Sequence, residues 1–414
     1  MEHVPPKAIL FGASLTLLVL LLTRGTWLTD APDSLIYEDM AHGQTVARPF
    51  ANRILHPLIV RGLAAGLHVS TDRAFLITDV AALFTFFTGV AWVLLHFARG
   101  PLAPAVFLVS PFALQLFRNG YLPDLPYAAL LAVFFALLAG RKQAAAMAVL
   151  FLLVLAREST ILLSAILVFV AYRRGERKLL LGAIGVTAVG LGVVACASRF
   201  AAGNTHAAST PLYLLLKIPF NVSKNVFGVV LWSNTLDGLK HFAPTATFEL
   251  PPALRVGAIR SIGYAGFHAQ FPLLTLAVLL TEFGVAPAIL WAAWRRSRAV
   301  RPSQTEEPLW LSVAIGYGVA SFLLGPALGA EVWRLVGYGW PAMLLAAPMF
   351  IVRMNRATAV IVFLQLATCW AGALVAPTEP PLWLLLAVIL FAFFGQALAL
   401  RALQLEPLEH RVRD

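Results

Sequence analysis

The residues of this chain that are best suited to chemistry lie in one short stretch, between positions 30 and 57. Four carboxylates occupy ten positions there, and cationic or titratable side chains follow them: Asp30, Asp33, Glu38 and Asp39, then Arg48, Arg53 and His56. Asp33 and Tyr37 are four residues apart, so they share one face if the segment is helical. Carboxylates and guanidiniums held in one loop can bind a phosphate-bearing substrate and abstract a proton.

Three later motifs place charges at the ends of apolar segments. Asp124 lies in a Pro-flanked turn, Arg157-Glu158 interrupts an apolar run from 144 to 172, and Glu331 and Arg334 are three residues apart. A charge at mid-bilayer costs about 3 kcal/mol on insertion scales, so the Arg157-Glu158 pair indicates a helix break. Each motif also has a simpler interpretation, as a helix cap, an internal ion pair or a surface pair.

The composition indicates an integral membrane protein. Hydrophobic residues make up 60% of the chain and charged residues only 12%, whereas soluble domains carry about a quarter charged residues. The net charge of +11 comes from short clusters between apolar runs, as the positive-inside rule requires, and this distribution argues against nucleic-acid binding. Cys196 and Cys369 lie in or near apolar segments, where they are expected to be small core residues.

About twelve apolar segments follow one another along the chain, of which 102–117 and 127–139 are short for full spans, and strand alternation is absent. We therefore predict an all-α, polytopic transmembrane bundle of about twelve helices. Two further segments, 49–68 in the first outward loop and 212–232 in the fourth, are predicted to be amphipathic helices on the membrane surface. Asp79 and Glu282 lie inside segments two and eight, where we expect internal hydrogen bonds for both. The twelve segments cover 8–23, 74–97, 102–117, 127–139, 144–156, 161–172, 179–197, 271–294, 309–328, 335–352, 359–375 and 382–400.

The distribution of Lys and Arg in the short loops predicts that both termini are cytoplasmic. The same count places nearly every candidate carboxylate on the opposite, extracytoplasmic side, although the acids themselves were not used in it. We therefore predict one integral membrane domain over 1–414, in which 1–270 is a catalytic module with outward loops 24–73 and 199–270. Residues 271–414 add C-terminal helices.

In layout, the chain resembles the GT-C class of membrane glycosyltransferases, which use polyprenyl-phosphate-linked sugars. The resemblance covers most of the chain, but its motifs are short and degenerate. Several members of the class have an adjacent Asp-Glu pair early in the first loop. This chain departs from that pattern, since its adjacent acidic pair is Glu38-Asp39, later in the loop. The matching residues are Asp33, Tyr37, Met40 and Ala41; Arg48, Pro49, Phe50, Arg53 and Pro57; Leu122, Pro123 and Asp124; Arg157 and Glu158; and Arg334, Trp340 and Pro341.

The resemblance implies a catalytic base in the first outward loop, here Asp33 with Asp30 as the next choice, and the late position of Glu38-Asp39 leaves that pair open as a further alternative. Asp124 would match a second acidic residue that some members use for acceptor positioning or metal binding. The resemblance also implies that Arg53 and Arg334 hold the lipid phosphate and that transfer inverts the sugar's configuration. It leaves the sugar, the acceptor and any need for a divalent cation open. Tyr37, Arg48, Arg157, Glu158 and Glu331 complete the predicted substrate- and phosphate-binding set.

Two other functions fit an outward-facing charged surface on a membrane protein. A transporter or flippase of lipid-linked saccharides would line a pathway with its intramembrane charges, and a polymerase of such saccharides would rely on arginines more than on a base. The acids gather on one side and no nucleotide-binding motif is present, which favours transfer from a lipid-carried donor. The layout predicts a bacterial inner membrane protein with a periplasmic active site.

Overall fold

The chain is described from a computed structural model, which is mostly helical. The residues that the structure describes contain sixteen α-helices and five strands, which are numbered in chain order. The structure describes residues 4–24, 32–48, 50–98, 112–200, 211–233, 243–255, 259–299, 308–328, 332–353, 356, 359–360, 363–364 and 381–405.

The first part of the chain forms a helical bundle with two surface-loop helices. In the bundle, α4 packs against α1 and α6, α6 packs against α7, and α7 and α8 both pack against α9. The core between them is aromatic and aliphatic, with Phe86, Phe87, Phe134 and Phe135 at its centre. The helices are α1 (Pro6–Leu22), α2 (Pro32–Ala41), α3 (Leu55–Leu67), α4 (Thr71–Phe97), α5 (Phe112–Arg118), α6 (Asp124–Ala139), α7 (Gln143–Ala156), α8 (Thr160–Arg173) and α9 (Arg177–Ala197).

The second part of the chain adds seven helices within the described residues, and some of its predicted apolar segments are divided between two helices. The predicted segment at 335–352 is one example, because it consists of two short helices and a 3₁₀ turn that end in a strand. Gly337 is the last residue of the first helix, and it lets the backbone pass close to Phe112, since a Cβ at Gly337 would collide with that ring. The helices are α10 (Pro211–Phe227), α11 (Gln270–Glu282), α12 (Ala286–Ala299), α13 (Leu309–Leu328), α14 (Val332–Gly337), α15 (Trp340–Ala346) and α16 (Leu382–Ala402).

Within the described residues, four helices are long and apolar enough to cross a membrane. They are α4, α9 with the turn that follows it, α13 and α16, and a fifth span results if α11 and α12 are counted as one bent pair. Six shorter apolar stretches include α1, α6, α7 and α8. The surfaces of α9 and α16 expose large apolar side chains such as Leu181, Phe393 and Phe394, which a lipid environment accommodates. The number of twelve spans stays a prediction, because part of segment three and most of segment eleven lie outside the described residues.

The expectation of an all-α chain needs one correction, because the long loop predicted at 199–270 contains a small antiparallel sheet. Strands β1 (Val229–Ser233) and β2 (Ala246–Glu249) both pair with β3 (Ser261–Phe267) in the order β1-β3-β2. A second, two-stranded sheet pairs β4 (Ile351–Arg353) with β5 (Gln404–Leu405). The predicted surface helix at 212–232 therefore ends at Phe227, where Gly228 has a φ of +71° and the β-branched pair Val229-Val230 starts β1.

The predicted surface helix at 49–68 also starts later than expected. A 3₁₀ turn occupies Phe50–Asn52, and α3 begins only at Leu55. One face of α3 is buried through His56, Pro57 and Val60 against α4, whereas Leu58 on another face is exposed. Because α3 starts late, Arg53 lies in the turn that precedes this helix and not in the helix itself.

Candidate functional site

Arg53 and Glu158 form the outer part of a charged network at one end of the bundle. The Arg53 guanidinium donates two hydrogen bonds to the Glu158 carboxylate, from Nε to Oε2 at 3.1 Å and from Nη2 to Oε1 at 2.6 Å. Its Nη1 donates a third to the Tyr37 hydroxyl at 2.8 Å. These hydrogen bonds fix the plane and direction of the Arg53 guanidinium. A lysine ammonium could not form the same two-point contact with a carboxylate.

The break between α7 and α8 positions Glu158. Helix α7 ends at Ala156 because Arg157 adopts an extended conformation, with φ −158° and ψ +142°. The hydroxyl of Thr160 donates to the carbonyl of Leu153 at 2.8 Å, which satisfies one carbonyl of the last turn of α7. The apolar run from 144 to 172 is thus two helices with their charged junction at the bundle end, as predicted from Arg157-Glu158.

Asp124 and Arg157 form the inner part of the network. Asp124 is the first residue of α6, and its Oδ1 accepts hydrogen bonds from the Arg157 guanidinium and, at 2.6 Å, from the Tyr338 hydroxyl. The guanidinium also lies over the Tyr338 ring, 4.4 Å from its centroid. Asp124 is 1% exposed and Arg157 4%, so this pair is removed from water. We call the five residues Tyr37, Arg53, Asp124, Arg157 and Glu158 the charged network.

Tyrosines continue the network into the bundle. The Tyr338 ring meets the Tyr127 ring edge-on at 5.4 Å, and the hydroxyls of Tyr127 and Tyr317 lie 3.1 Å apart. Both hydroxyls are buried. Tyr338 lies just after α14, far along the chain from the other members. Its role could not be predicted from the sequence, because a single tyrosine inside the apolar segment 335–352 carries no signal beside the chain's other aromatic residues.

The turn that precedes Asp124 is held by α2 and α4. The Ser34 hydroxyl donates to the carbonyl of Gly120 at 3.2 Å, and the Tyr121 hydroxyl donates to Asp72 Oδ1 at 2.8 Å. Tyr121 adopts a left-handed conformation with a φ of +68°, which is uncommon for a residue with a side chain. These two hydrogen bonds, one from α2 and one to α4, therefore fix the start of α6 and with it the carboxylate of Asp124.

The first loop contributes a helix to this end of the bundle. The spacing of Asp33 and Tyr37 does place them one turn apart on α2, with Asp33 half-buried in the first turn and Tyr37 fully buried. Arg48 is not in the charged network, because its Nη2 donates to the carbonyl of Ser198, just after α9, at 2.8 Å. Asp30, Glu331 and the side chain of Arg334 lie outside the described residues.

The network members that reach water carry opposite charges. The Glu158 side chain is 42% exposed and that of Arg53 is 11% exposed, so the carboxylate is the outermost group. Desolvation raises the pKa of Glu158, but the charge and hydrogen bonds of Arg53 outweigh that effect and bring the pKa to about 2. Burial raises the pKa of Tyr37, and Arg53 counteracts only part of that rise. At neutral pH this site therefore presents a carboxylate and a neutral phenol.

The opposite end of the same helices is basic. Arg141 and Lys142 lie between α6 and α7, which start and end at the charged network. Arg173, Arg174, Arg177 and Lys178 lie at the junction of α8 and α9. The bundle thus separates its charges by end, with the mixed network at one end and clustered cations at the other.

A buried polar pair lies where α3 packs against α4. His56 Nε2 is 3.9 Å from Asp79 Oδ1, and both side chains are almost completely buried. Asp79 Oδ1 has no hydrogen-bond partner among the described residues, so the internal hydrogen bond expected for Asp79 is not found at this oxygen. The same holds for both carboxylate oxygens of Glu282, which lies elsewhere in the bundle.

In the described parts of the chain, no three His, Cys, Asp or Glu side chains lie close enough to hold a metal ion together. Whether Asp33 and Asp124 act with a divalent cation therefore stays open, as it was in the sequence. Similarity to known proteins gives no further indication of the reaction. No protein-family model, no curated protein and no solved structure matches this chain.

Proposed function

We propose that this protein is a membrane glycosyltransferase of the GT-C type. It transfers a sugar from a polyprenyl-phosphate-linked donor to an acceptor hydroxyl at the extracytoplasmic face. The observation that carries the proposal is the convergence of α2, the turn before α3, the start of α6 and the α7–α8 junction on one charged network. This convergence gathers two carboxylates, a phenol and two guanidiniums from positions far apart in the chain.

Asp33 is the proposed base. It accepts the proton of the acceptor hydroxyl while that oxygen attacks the anomeric carbon, and the bond from this carbon to the phosphate oxygen breaks. The polyprenyl phosphate leaves with the electron pair, and the sugar's configuration inverts. Asp33 is half-buried at the start of α2, whereas Asp124 accepts from Arg157 and Tyr338 in a buried setting. We therefore assign Asp124 to positioning rather than to proton abstraction.

Arg53 is the proposed ligand of the donor phosphate. Its partner Glu158 is 42% exposed, so this carboxylate can turn to water when another anion takes its place. A phosphate that offers several acceptor oxygens can therefore replace Glu158 at the guanidinium without a large loss. In this proposal Glu158 holds Arg53 in place when no donor is bound, and the network neutralises charge on the leaving phosphate.

The remaining parts of the proposal concern the membrane. About twelve spans form a GT-C fold with both termini in the cytoplasm of a bacterial cell, and the charged network faces the periplasm. Its support is the basic opposite end of α6, α7, α8 and α9, which the positive-inside rule assigns to the cytoplasm. The partners are the lipid-linked donor and the surrounding membrane, with no role for nucleic acid.

The test is transfer of a radiolabelled sugar from a panel of polyprenyl-phosphate sugars in proteoliposomes. We expect Asp33→Asn to lower the rate about 100-fold or more, the usual contribution of a general base. The matched control is Asp39→Asn, the same replacement at an exposed position of the same helix, which is expected to retain the rate. Equal rates for Asp33→Asn and wild type would remove Asp33 from the mechanism.

A transporter of lipid-linked saccharides is the second candidate, and the bent pair α11 and α12 favours it. Discontinuous helices line the substrate sites of many transporters, and this pair bends by 77° at its break. Movement of a lipid-linked saccharide across the proteoliposome bilayer, with no transfer from any donor, would replace the transferase proposal by this one.

A further inference from the structure

The break between α11 and α12 interrupts an apolar stretch that would otherwise span the membrane. The two helices bend by 77° across residues 283–285. Gly284 has a φ of +51°, and Pro287 follows in the first turn of α12. A left-handed glycine ends one helix and a proline is well suited to the start of the next, so the sequence itself specifies this break.

Glu282, the last residue of α11, points a carboxyl group into the protein at this break. It is 1% exposed, and neither of its carboxylate oxygens has a hydrogen-bond partner among the described residues. The following residues Phe283, Val285 and Ala286 are fully buried, and the Phe283 ring packs edge-on against Phe322 of α13 at 5.3 Å. The internal hydrogen bond expected for Glu282 is therefore not found among the described residues, and the residues that follow it in the chain pack into an apolar core.

Several polar groups on the elements packed against α11 have contacts of their own. Gln396 of α16 donates to the carbonyl of Leu280 at 2.7 Å. Lys224 of α10 lies over the ring of Phe271, 4.4 Å from its centroid, near the other end of α11. Arg296 of α12 binds the carbonyl of Leu405, and α14 contributes Arg334, whose side chain lies outside the described residues.

An ionised carboxylate in such a place is unfavourable. Burying a charge without a partner is so unfavourable that the group takes up a proton instead. A metal ion would need several oxygen ligands, and Glu282 is the only carboxylate that the described residues place at this break. A proton is the one ligand that a single carboxyl group can bind fully. Breaks in membrane helices are also where coupled ions bind in other proteins.

We propose that Glu282 is an intramembrane proton-binding site at the hinge between α11 and α12. It carries a proton when the break is packed as in this structure, and it loses the proton only when the hinge opens to water. Proton binding and hinge closure are then reciprocally coupled, since each stabilises the other. This proposal does not depend on the transferase proposal, because the α11–α12 break belongs to neither the charged network nor α2.

The first test is labelling of the full chain in proteoliposomes with the apolar reagent dicyclohexylcarbodiimide. The reagent takes the carboxyl proton on one nitrogen, the carboxylate oxygen adds to its carbon, and the adduct rearranges to a stable N-acylurea. We expect peptide mass spectrometry to find the label on Glu282 at pH 7, at least tenfold above Glu158. Glu158 is the internal control, because it is half-exposed and paired with Arg53. Glu282→Gln must lose the label.

Two results of this test would overturn the proposal. One is an unlabelled Glu282 from pH 5 to pH 9 in protein that elutes as a single folded species. The other is protection of Glu282 from the reagent by Na⁺ but not by choline at the same ionic strength, because the site would then bind a metal cation.

The second test measures the hinge by hydrogen exchange of peptides that cover 278–292. After correction for intrinsic exchange, we expect exchange in the wild type to increase several-fold as the pH is raised from 6 to 9. Glu282→Gln mimics the neutral acid, so its exchange is expected to stay low across this range. Parallel pH dependence in the two proteins would show that Glu282 does not control the hinge. Neither test uses sugar transfer, so a failure here is distinct from a failure of the proposed function.

Discussion

Asp124 and Arg157 differ from the other charged pair of the network in their burial. Both side chains are removed from water, and Asp124 Oδ1 is shared between Arg157 and Tyr338. Removing one partner of such a pair leaves the other charge buried without compensation, which costs more than the pair itself is worth. Arg53 and Glu158 have no such dependence, because Glu158 can turn to water.

We predict that Asp124→Leu and Arg157→Leu each lower the free energy of unfolding by about 3–5 kcal/mol. The double variant should lose less than the sum, because it leaves neither charge alone. Glu158→Gln is the control and is expected to stay within about 1 kcal/mol of wild type. Unfolding in detergent, followed by tryptophan fluorescence, gives all four values. Additive losses in the double variant would contradict the direct coupling of Asp124 to Arg157.

At the scale of elements, the junction of α3 and α4 contains a titratable group in an apolar setting. His56 is 1% exposed and lies edge-on to the Phe75 ring at 5.2 Å. Burial lowers the pKa of His56 to about 4, although the nearby charge of Asp124 counteracts part of this effect. The folded protein therefore holds a neutral imidazole where the unfolded chain, with the ordinary value of 6.5, takes up a proton.

This difference predicts a loss of stability in mild acid. Between pH 6.5 and 4 the unfolded chain binds more protons than the folded one, so stability decreases as the pH falls. From pH 7 to pH 5, we expect a loss of about 2 kcal/mol from this group alone. Thermal unfolding of wild type and His56→Gln at both values measures it. A loss of the same size in His56→Gln would assign the acid sensitivity to other groups.

The elements also show which features the sequence could predict. Charges beside apolar runs mark helix ends, so the predicted end at 156 agrees with the end of α7 at Ala156, and the predicted start at 127 lies three residues after the start of α6 at Asp124. Breaks inside apolar runs were missed, because the apolar pattern continues across Gly284 and Gly337 even though the helix does not. The strands at 229–267 were missed too. Each is seven residues or fewer, and such short runs give a weak alternation signal.

For the site, the sequence could indicate the members but not their partners. The acids and arginines stand out against an apolar background, which is why four of the five network residues are charged candidates. Pairing depends on tertiary packing instead. Nothing in the spacing shows that Arg53 binds Glu158, that Arg48 binds the carbonyl of Ser198, or that Tyr338 reaches Asp124.

At the scale of the whole molecule, the two ends of the bundle should lie on opposite sides of the membrane. We predict that an impermeant maleimide, added to intact spheroplasts, labels a cysteine at Asp39→Cys but not one at Glu176→Cys. Asp39 is exposed at the network end and Glu176 at the basic end. Both variants are made in a chain with Cys196 and Cys369 replaced by alanine. Labelling of Glu176→Cys alone would reverse the proposed orientation, and permeabilised membranes give the reference signal for both positions.

The charged network contains two negative and two positive side chains, Asp124, Glu158, Arg53 and Arg157, and each charge lies against one of opposite sign. The field of such neutral pairs decreases with distance faster than that of a net charge, and salt screens what remains beyond about 10 Å. The network therefore does little to steer a ligand from solution. A ligand that diffuses laterally within the bilayer needs no such steering. Its rate of association with this network should accordingly change little with ionic strength.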